Sequence, residues 1–153
     1  MVEYRGYYKS DIGDIEIKCN EESVISIKFI DIRENEIREN RVVKQAVKEL
    51  DEYFRGKREN FDLSLSLNGT EFQKRVWNEL INIPYGSKIS YKKIAEMTGN
   101  KKSVRAAATA VAANPILIII PCHRVIRKNG DIGNYSGGSE IKKQLLEMEV
   151  KKD

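Results

Sequence analysis

The single histidine of this 153-residue chain, His123, directly follows one of its two cysteines in the run Pro121-Cys122-His123-Arg124-Val125. Cysteine reacts as the thiolate, and an ordinary thiol pKa near about 8.5 leaves only a few per cent ionised at neutral pH unless a base or a positive field is close. The neighbouring imidazole is a candidate base. Consecutive residues of a strand point to opposite faces, so contact between Cys122 and His123 requires a turn or a bridging water, and Pro121 favours a bend there. Cys19 lacks such company. It alternates with Ile15 and Ile17 and reads as a small core hydrophobe. With one histidine and two cysteines, a Cys/His zinc site lacks ligands, so no metal is expected, and a disulfide framework is excluded.

The segments around the cysteine must position it. Ile116 to Ile120 is a continuous apolar run and reads as a buried strand ending at Pro121. Lys128-Asn129-Gly130-Asp131 has the composition of a hairpin turn between Val125-Ile126 and Ile132. Gly133-Asn134-Tyr135-Ser136-Gly137-Gly138 follows, a glycine-rich loop able to fold close over a flat ligand. It lacks the Gly-Lys-Ser/Thr ending of a phosphate loop, and no cofactor is expected. A last helix, Ser139 to about Glu149, carries Ile141, Leu145, Leu146 and Met148 on its buried side and leads to Lys151-Lys152-Asp153.

Upstream, Thr70-Glu71-Phe72-Gln73 is a capping box that opens a helix with Phe72, Val76, Trp77, Leu80 and Ile81 as its stripe. Pro84 and Gly86 end it. Ser90 caps a second helix closed by Thr98-Gly99, and Ser103 begins a third that Asn114-Pro115 stops. Helix, glycine turn, helix is the helix-turn-helix pattern. Ala106, Ala107, Ala108, Ala110, Ala112 and Ala113 leave its second helix with little bulk, so a large partner could approach the backbone closely.

Residues 4 to 30 alternate as strands with turns at Asp11 to Asp14 and Asn20 to Ser23. Asp31 to Asn40 is charged and reads as an exposed loop. Val43, Ala46, Val47, Leu50, Tyr53 and Phe54 recur at helical spacing over residues 41 to 55, and Phe61, Leu63 and Leu65 alternate again as a strand. The expected fold class is α+β: an N-terminal sheet-plus-helix domain, 1–68, as scaffold, then a mostly helical domain, 69–153, holding the helix-turn-helix and the cysteine. Charge divides at the same place. Residues 1–69 carry 12 Lys and Arg against 15 Asp and Glu, a balance of −3, whereas residues 70–153 carry 15 against 8, a balance of +7. Only the second half is therefore suited to a polyanion. No apolar run approaches the roughly 20 residues that span a bilayer, and the N-terminus lacks the pattern of a secretory signal, so a cytoplasmic location is expected.

Thr70-Glu71-Phe72-Gln73-Lys74-Arg75-Val76-Trp77, Ile83-Pro84-Tyr85-Gly86, Ser90-Tyr91, Arg105-Ala106, Asn114-Pro115, Ile120-Pro121-Cys122-His123-Arg124-Val125 and Gly133 to Gly138 occur in this order. Over residues 69 to 149 the chain resembles the O6-alkylguanine-DNA alkyltransferases, also called methylated-DNA–protein-cysteine methyltransferases. Residues 1 to 68 resemble them in size and element order only. The resemblance implies DNA repair by direct, stoichiometric, irreversible transfer of an alkyl group from guanine O6, and less well from thymine O4, to Cys122. On the same footing His123 acts through a water as the base, Glu149 holds its tautomer, and Asn114 ties the recognition helix to the active-site turn. Tyr91 crowds a phosphate and donates to the flipped guanine, and Arg105 fills the gap in the stack. Tyr135 walls the pocket, the Ser136 N–H donates to O6, and the carbonyls of Cys122 and Val125 accept from the exocyclic amine. The implied partner is double-stranded DNA, entered through the minor groove by a monomer.

Elementary physics is compatible with these roles. A stacked base cannot present O6 to a thiolate, so it must be extruded, and a poorly pairing lesion costs least to extrude. Small side chains suit the narrower minor groove. Two features depart from the family: Ala108 and Thr109 stand where it has glycines, and the zinc ligands of some relatives are absent. Two other readings compete. A non-catalytic alkylguanine-DNA binding module would lack the cysteine, and a cysteine hydrolase would need an oxyanion hole that no motif here suggests.

Overall fold

Apolar and polar residues alternate from Tyr4 to Ile30 around two polar turns. In the computed structural model, which describes residues 3–99 and 103–150, this pattern becomes three antiparallel strands. They are β1 (Tyr4–Ser10), β2 (Gly13–Cys19) and β3 (Val24–Ile30), in that order across the sheet, with Gly6 opposite Ile17 and Ile17 opposite Ile27. Helix α1 (Arg41–Phe54) completes the first unit, Met1–Asn68; its N-cap Asn40 accepts from the Val43 N–H. Val43, Ala46 and Leu50 of α1, with Ile15 and Ile17 of β2, are wholly buried where the helix packs on β1 and β2. Burying a Val, Leu or Ile side chain contributes about 1.5–3 kcal/mol. Gly6 permits the close approach, since a Cβ there would stand 2.5 Å from Val43 Cγ1. Cys19 belongs to this core, and burial pushes its thiol up to about 12.

Phe61, Leu63 and Leu65 do not form a strand. Their segment touches the sheet at one point, where the Val24 N–H donates to the Ser64 carbonyl and the Ser66 N–H to the Val24 carbonyl. Alternation specifies an extended backbone, whereas a strand also needs a partner along its length.

The second unit, Gly69–Asp153, begins with the capping box: the Thr70 side chain accepts from the Gln73 N–H, and the Gln73 side chain accepts from the Thr70 N–H. Helix α2 (Glu71–Ile81) buries Val76, Trp77 and Leu80, a narrower stripe than expected, with Ile81 41% exposed. Strand β4 (Ile89–Ser90) leads into α3 (Tyr91–Met97), and α4 (Val104–Ala112) packs against α3 and α2 as the second helix of the helix-turn-helix. Trp77 Nε1 donates to the Ala110 carbonyl at 2.9 Å, locking α4 to α2. Strand β5 (Val125–Ile126) pairs in parallel with β4, so the expected hairpin does not form. Its turn does: the Arg127 N–H donates to the Asp131 carbonyl at 2.8 Å and Gly130 has φ 94°. Helix α5 (Ser139–Val150) buries Lys142, Leu145, Leu146 and Glu149, while Ile141 and Met148 are half-buried. Lys151-Lys152-Asp153 lies outside the described residues. No helix among the described residues is long and apolar enough to cross a membrane.

Candidate active site

Ile116 to Ile120 is buried as its composition implies, but it is a folded loop and not a strand. One side chain pins both ends: Asn114 Oδ1 accepts from the Ile116 N–H at 2.9 Å and Nδ2 donates to the Ile120 carbonyl at 2.8 Å. Between them the Ile119 N–H donates to the Leu117 carbonyl at 2.8 Å across Ile118, whose φ is 73°. That is a γ-turn centred on a β-branched residue, a strained conformation costing about 1–3 kcal/mol. Burial of Ile116, Leu117, Ile118 and Ile120 to 2% exposure or less offsets it. Pro121, at φ −80° and ψ 62°, makes an inverse γ-turn in which the Cys122 N–H donates to the Ile120 carbonyl at 2.7 Å. The chain then enters the 3₁₀ turn Cys122–Arg124. This is the turn that chemistry between adjacent cysteine and histidine requires.

Cys122 is 4% exposed, and burial pushes its thiol up to about 11, against the pull of a hydrogen bond with the Asn114 side chain and the charge of Lys142. The sulfur is therefore protonated at neutral pH and needs a base. His123 is wholly buried, and burial holds it below its ordinary value, hence neutral. Its Nε2 lies 2.7 Å from Glu149 Oε2. Burial raises Glu149, but hydrogen bonds from His123 and Arg124 outweigh this and bring it to about 2. An ionised carboxylate only accepts, so Nε2 carries the imidazole proton and Nδ1 keeps the lone pair. Nδ1 is buried without a hydrogen-bond partner among the described residues.

Two cations complete the cluster. Arg124 donates from Nε to Glu149 Oε1 at 2.9 Å, from Nη2 to Oε2 at 3.0 Å and from Nη1 to the Ile83 carbonyl at 2.7 Å. Lys142, wholly buried, donates from Nζ to the Val125 carbonyl at 2.6 Å, and to the Asn134 carbonyl and the Tyr91 hydroxyl at 3.3 Å. Burial, with help from the charge of Arg127, lowers Lys142 to about 8. Beside them a cavity of about 340 Å³ opens, lined by residues including Tyr91, Arg105, Ala108, Arg127 and Asn134.

Asn114, Cys122, His123 and Glu149 thus converge. Tyr91 and Val125 join them through Lys142, and ligand donors would share the Val125 carbonyl with that ammonium. Tyr135 is 8% exposed, with a buried hydroxyl lacking a hydrogen-bond partner among the described residues. Arg105 is exposed at the cavity, and Thr109, exposed on the same helix, donates its hydroxyl back to the Arg105 carbonyl at 3.0 Å. Ser136 is exposed, next to buried Tyr135 in the glycine-rich loop. Sequence reasoning assigned no role to Lys142 or Arg124. Lys142 did leave a signal: it shares the 142, 145, 146, 149 stripe of α5 with two leucines.

Comparison with known proteins places these residues in context. Residues 71–151 match the family model of the 6-O-methylguanine DNA methyltransferase DNA-binding domain, and residues 3–67 match that of its ribonuclease-like domain. A methylated-DNA–protein-cysteine methyltransferase of Methanosarcina acetivorans is 40% identical over 152 residues, covering 95% of this chain and 97% of that protein. The crystal structure of the Mycobacterium tuberculosis O6-methylguanine methyltransferase superposes with a TM-score of 0.91 at 34% identity, over 99% of this chain and 95% of that one. A crystal structure of the Mycobacterium tuberculosis protein in complex with DNA superposes with a TM-score of 0.88 at 36% identity, over 95% and 92%.

Proposed function

This chain belongs to the 6-O-methylguanine DNA methyltransferase family, and on that premise we propose that it repairs alkylated DNA by moving the alkyl group from guanine O6 onto Cys122, once per molecule. The Cys122 proton passes through a water to His123 Nδ1, and the sulfur attacks the alkyl carbon. The S–C bond forms as the C–O bond breaks, with its electron pair left on guanine. The purine takes up one proton for the one the thiol has lost, so charge balances. Extrusion of the base brings O6 within reach, which a stacked base does not allow.

Within this reading residues 69–153 bind DNA and accept the alkyl group, and residues 1–68 are scaffold. The small-sided α4 enters the minor groove of double-stranded DNA, and Arg105 stands in for the flipped base. Tyr91, Tyr135, the Ser136 N–H and the Val125 carbonyl line the base site. The Lys142 ammonium, against both the Tyr91 hydroxyl and the Val125 carbonyl, supplies positive charge where the thiolate and the leaving purine develop negative charge. The protein works as a cytoplasmic monomer. The observation that carries the reading is the neutral His123, whose buried Nδ1 has no hydrogen-bond partner among the described residues, next in the chain to a buried, protonated Cys122.

The test mixes protein with excess methylated duplex and follows repair and peptide mass. Repair should stop at one equivalent, with one methyl group on the peptide containing Cys122, because a thioether offers no leaving group. Binding without transfer would make the protein a recognition module, and turnover past one equivalent without a methylated peptide would make it a hydrolase. Either overturns the proposal.

A further inference from the structure

Arg124 has no part in the transfer steps above, yet it is among the most completely engaged side chains of the site. It is 5% exposed, and its fork spans both oxygens of Glu149, Nε to Oε1 at 2.9 Å and Nη2 to Oε2 at 3.0 Å. Nη1 donates to the Ile83 carbonyl at 2.7 Å, and the guanidinium lies 5.6 Å from the Tyr85 ring centroid. The same Oε2 accepts from His123 Nε2 at 2.7 Å, and Oε1 also accepts from the Gly86 N–H at 3.3 Å. Such a paired contact fixes the plane of a carboxylate as a lysine ammonium cannot.

We propose that Arg124 is a positioning residue for alkyl transfer: by spanning Glu149 it holds Oε2 against the Nε2–H of His123 and leaves Nδ1 free to take the Cys122 proton. The inference rests on the alkyl-transfer reading. Without the guanidinium, the buried carboxylate loses the two-pronged positive charge that spans it, and a low-dielectric interior penalises the remaining negative charge against a neutral imidazole. Two proton placements relieve this. Glu149 takes up a proton and donates it to Nε2, which moves the imidazole proton to Nδ1, or His123 becomes an imidazolium. In both, Nδ1 carries a proton and accepts none from Cys122 until the solution is made more alkaline. With Arg124 present the charge of Glu149 is matched, and burial keeps the imidazole neutral.

Among the described residues, the other ionisable groups around this pair include Cys122 on the same turn, Lys142 on α5 and Tyr135 in the glycine-rich loop, with Tyr85 beside Arg124. Lys142 opposes the imidazolium, as Arg124 does, but its Nζ is engaged by the Val125 and Asn134 carbonyls and the Tyr91 hydroxyl. It cannot reproduce the fork.

Single-turnover transfer on methylated duplex, with rate constant and amplitude followed from acid to alkaline pH, tests the assignment. The wild type must transfer; if it does not, the alkyl-transfer reading fails independently of Arg124. For Arg124→Met the rate constant near neutrality should fall by at least about ten-fold and the deficit should narrow as pH rises, since a one-unit alkaline shift of the rate limb is a ten-fold change below it. Arg124→Lys should recover part of the neutral rate. In a Glu149→Gln background, Arg124→Met should change the rate constant by less than about two-fold, because the carboxylate through which it acts is no longer ionisable. Simple loss of folded protein would instead lower the amplitude equally at every pH. A pH profile for Arg124→Met parallel to the wild type, or a full additional loss in the Glu149→Gln background, overturns the inference.

Discussion

A thiol that burial holds near about 11 is almost wholly protonated at neutral pH, so the reactivity of Cys122 depends on its neighbours more than on itself. Cys122→Ser should abolish alkyl transfer while changing DNA affinity by less than about three-fold, because the sulfur contributes chemistry and no phosphate contact. A gel-shift titration beside a transfer assay checks this. Cys19→Ser should retain transfer and lose about 1–3 kcal/mol of stability, as a hydroxyl replaces a thiol in a dry core; a dead Cys19 variant would displace the site. The Pro-Cys-His-Arg run made Cys122 and His123 candidates for a nucleophile and its base in the sequence. The fork of Arg124 on Glu149 and the clamp of Lys142 on Val125 were not legible as contacts. They join residues distant along the chain, and no periodicity encodes which carboxylate or carbonyl a buried cation will meet.

At the scale of elements, α4 is built mainly of alanine with Arg105 as its one charged residue, and that side chain flanks the cavity beside Tyr91. If it replaces an extruded base, it matters only where there is a stack to fill. Arg105→Ala should then slow repair of duplex about ten-fold more than repair of single-stranded DNA, a contrast on the order of one good contact. Equal losses would make Arg105 an ordinary phosphate contact. In the other unit, Gly6→Ala puts a methyl group 2.5 Å from Val43 Cγ1, and the resulting overpacking of α1 on the sheet should cost about 1–3 kcal/mol in urea unfolding. Helices α2, α3 and α4 were legible from the caps Thr70, Ser90 and Ser103, and α1 and α5 from apolar residues at helical spacing, whereas the cap at Asn40 was not read from the sequence. The run before Pro121 was misread because burial alone makes it apolar. The γ-turn at Ile118 and the grip of Asn114 have the same composition as a strand, and only the hydrogen-bond pattern distinguishes them.

For the whole molecule, ionisable groups set two dependences of opposite origin. The basic excess lies wholly in residues 70–153, so DNA binding should weaken steeply with salt through the release of counterions; a flat response would remove this electrostatic account. Acid stability, in contrast, depends on buried charge. Glu149 sits at about 2 in the folded protein against an ordinary 4.5. A depressed carboxylate stabilises the fold fully above its unfolded pKa and ceases to do so as pH falls through the folded one, so the window runs from about 4.5 down to about 2. The shift corresponds to a contribution on the order of 3 kcal/mol. His123 acts in the same direction at higher pH. Its folded value is also depressed, so an unfolded chain binds its proton first and stability already declines as pH drops below about 6.5. Urea unfolding of the wild type and of Glu149→Gln separates the two, since both proteins keep His123 and only one keeps the carboxylate. The wild type should be the more stable at pH 6, and its margin should shrink below about pH 4.5 and approach zero near pH 2, while the earlier decline from His123 occurs in both proteins and is at least as large in Glu149→Gln, which lacks the carboxylate that raises the imidazole. A margin that stays constant from pH 6 to pH 3 would mean that Glu149 is not held ionised by Arg124 and His123, and the charge assignment of the site would fail with it.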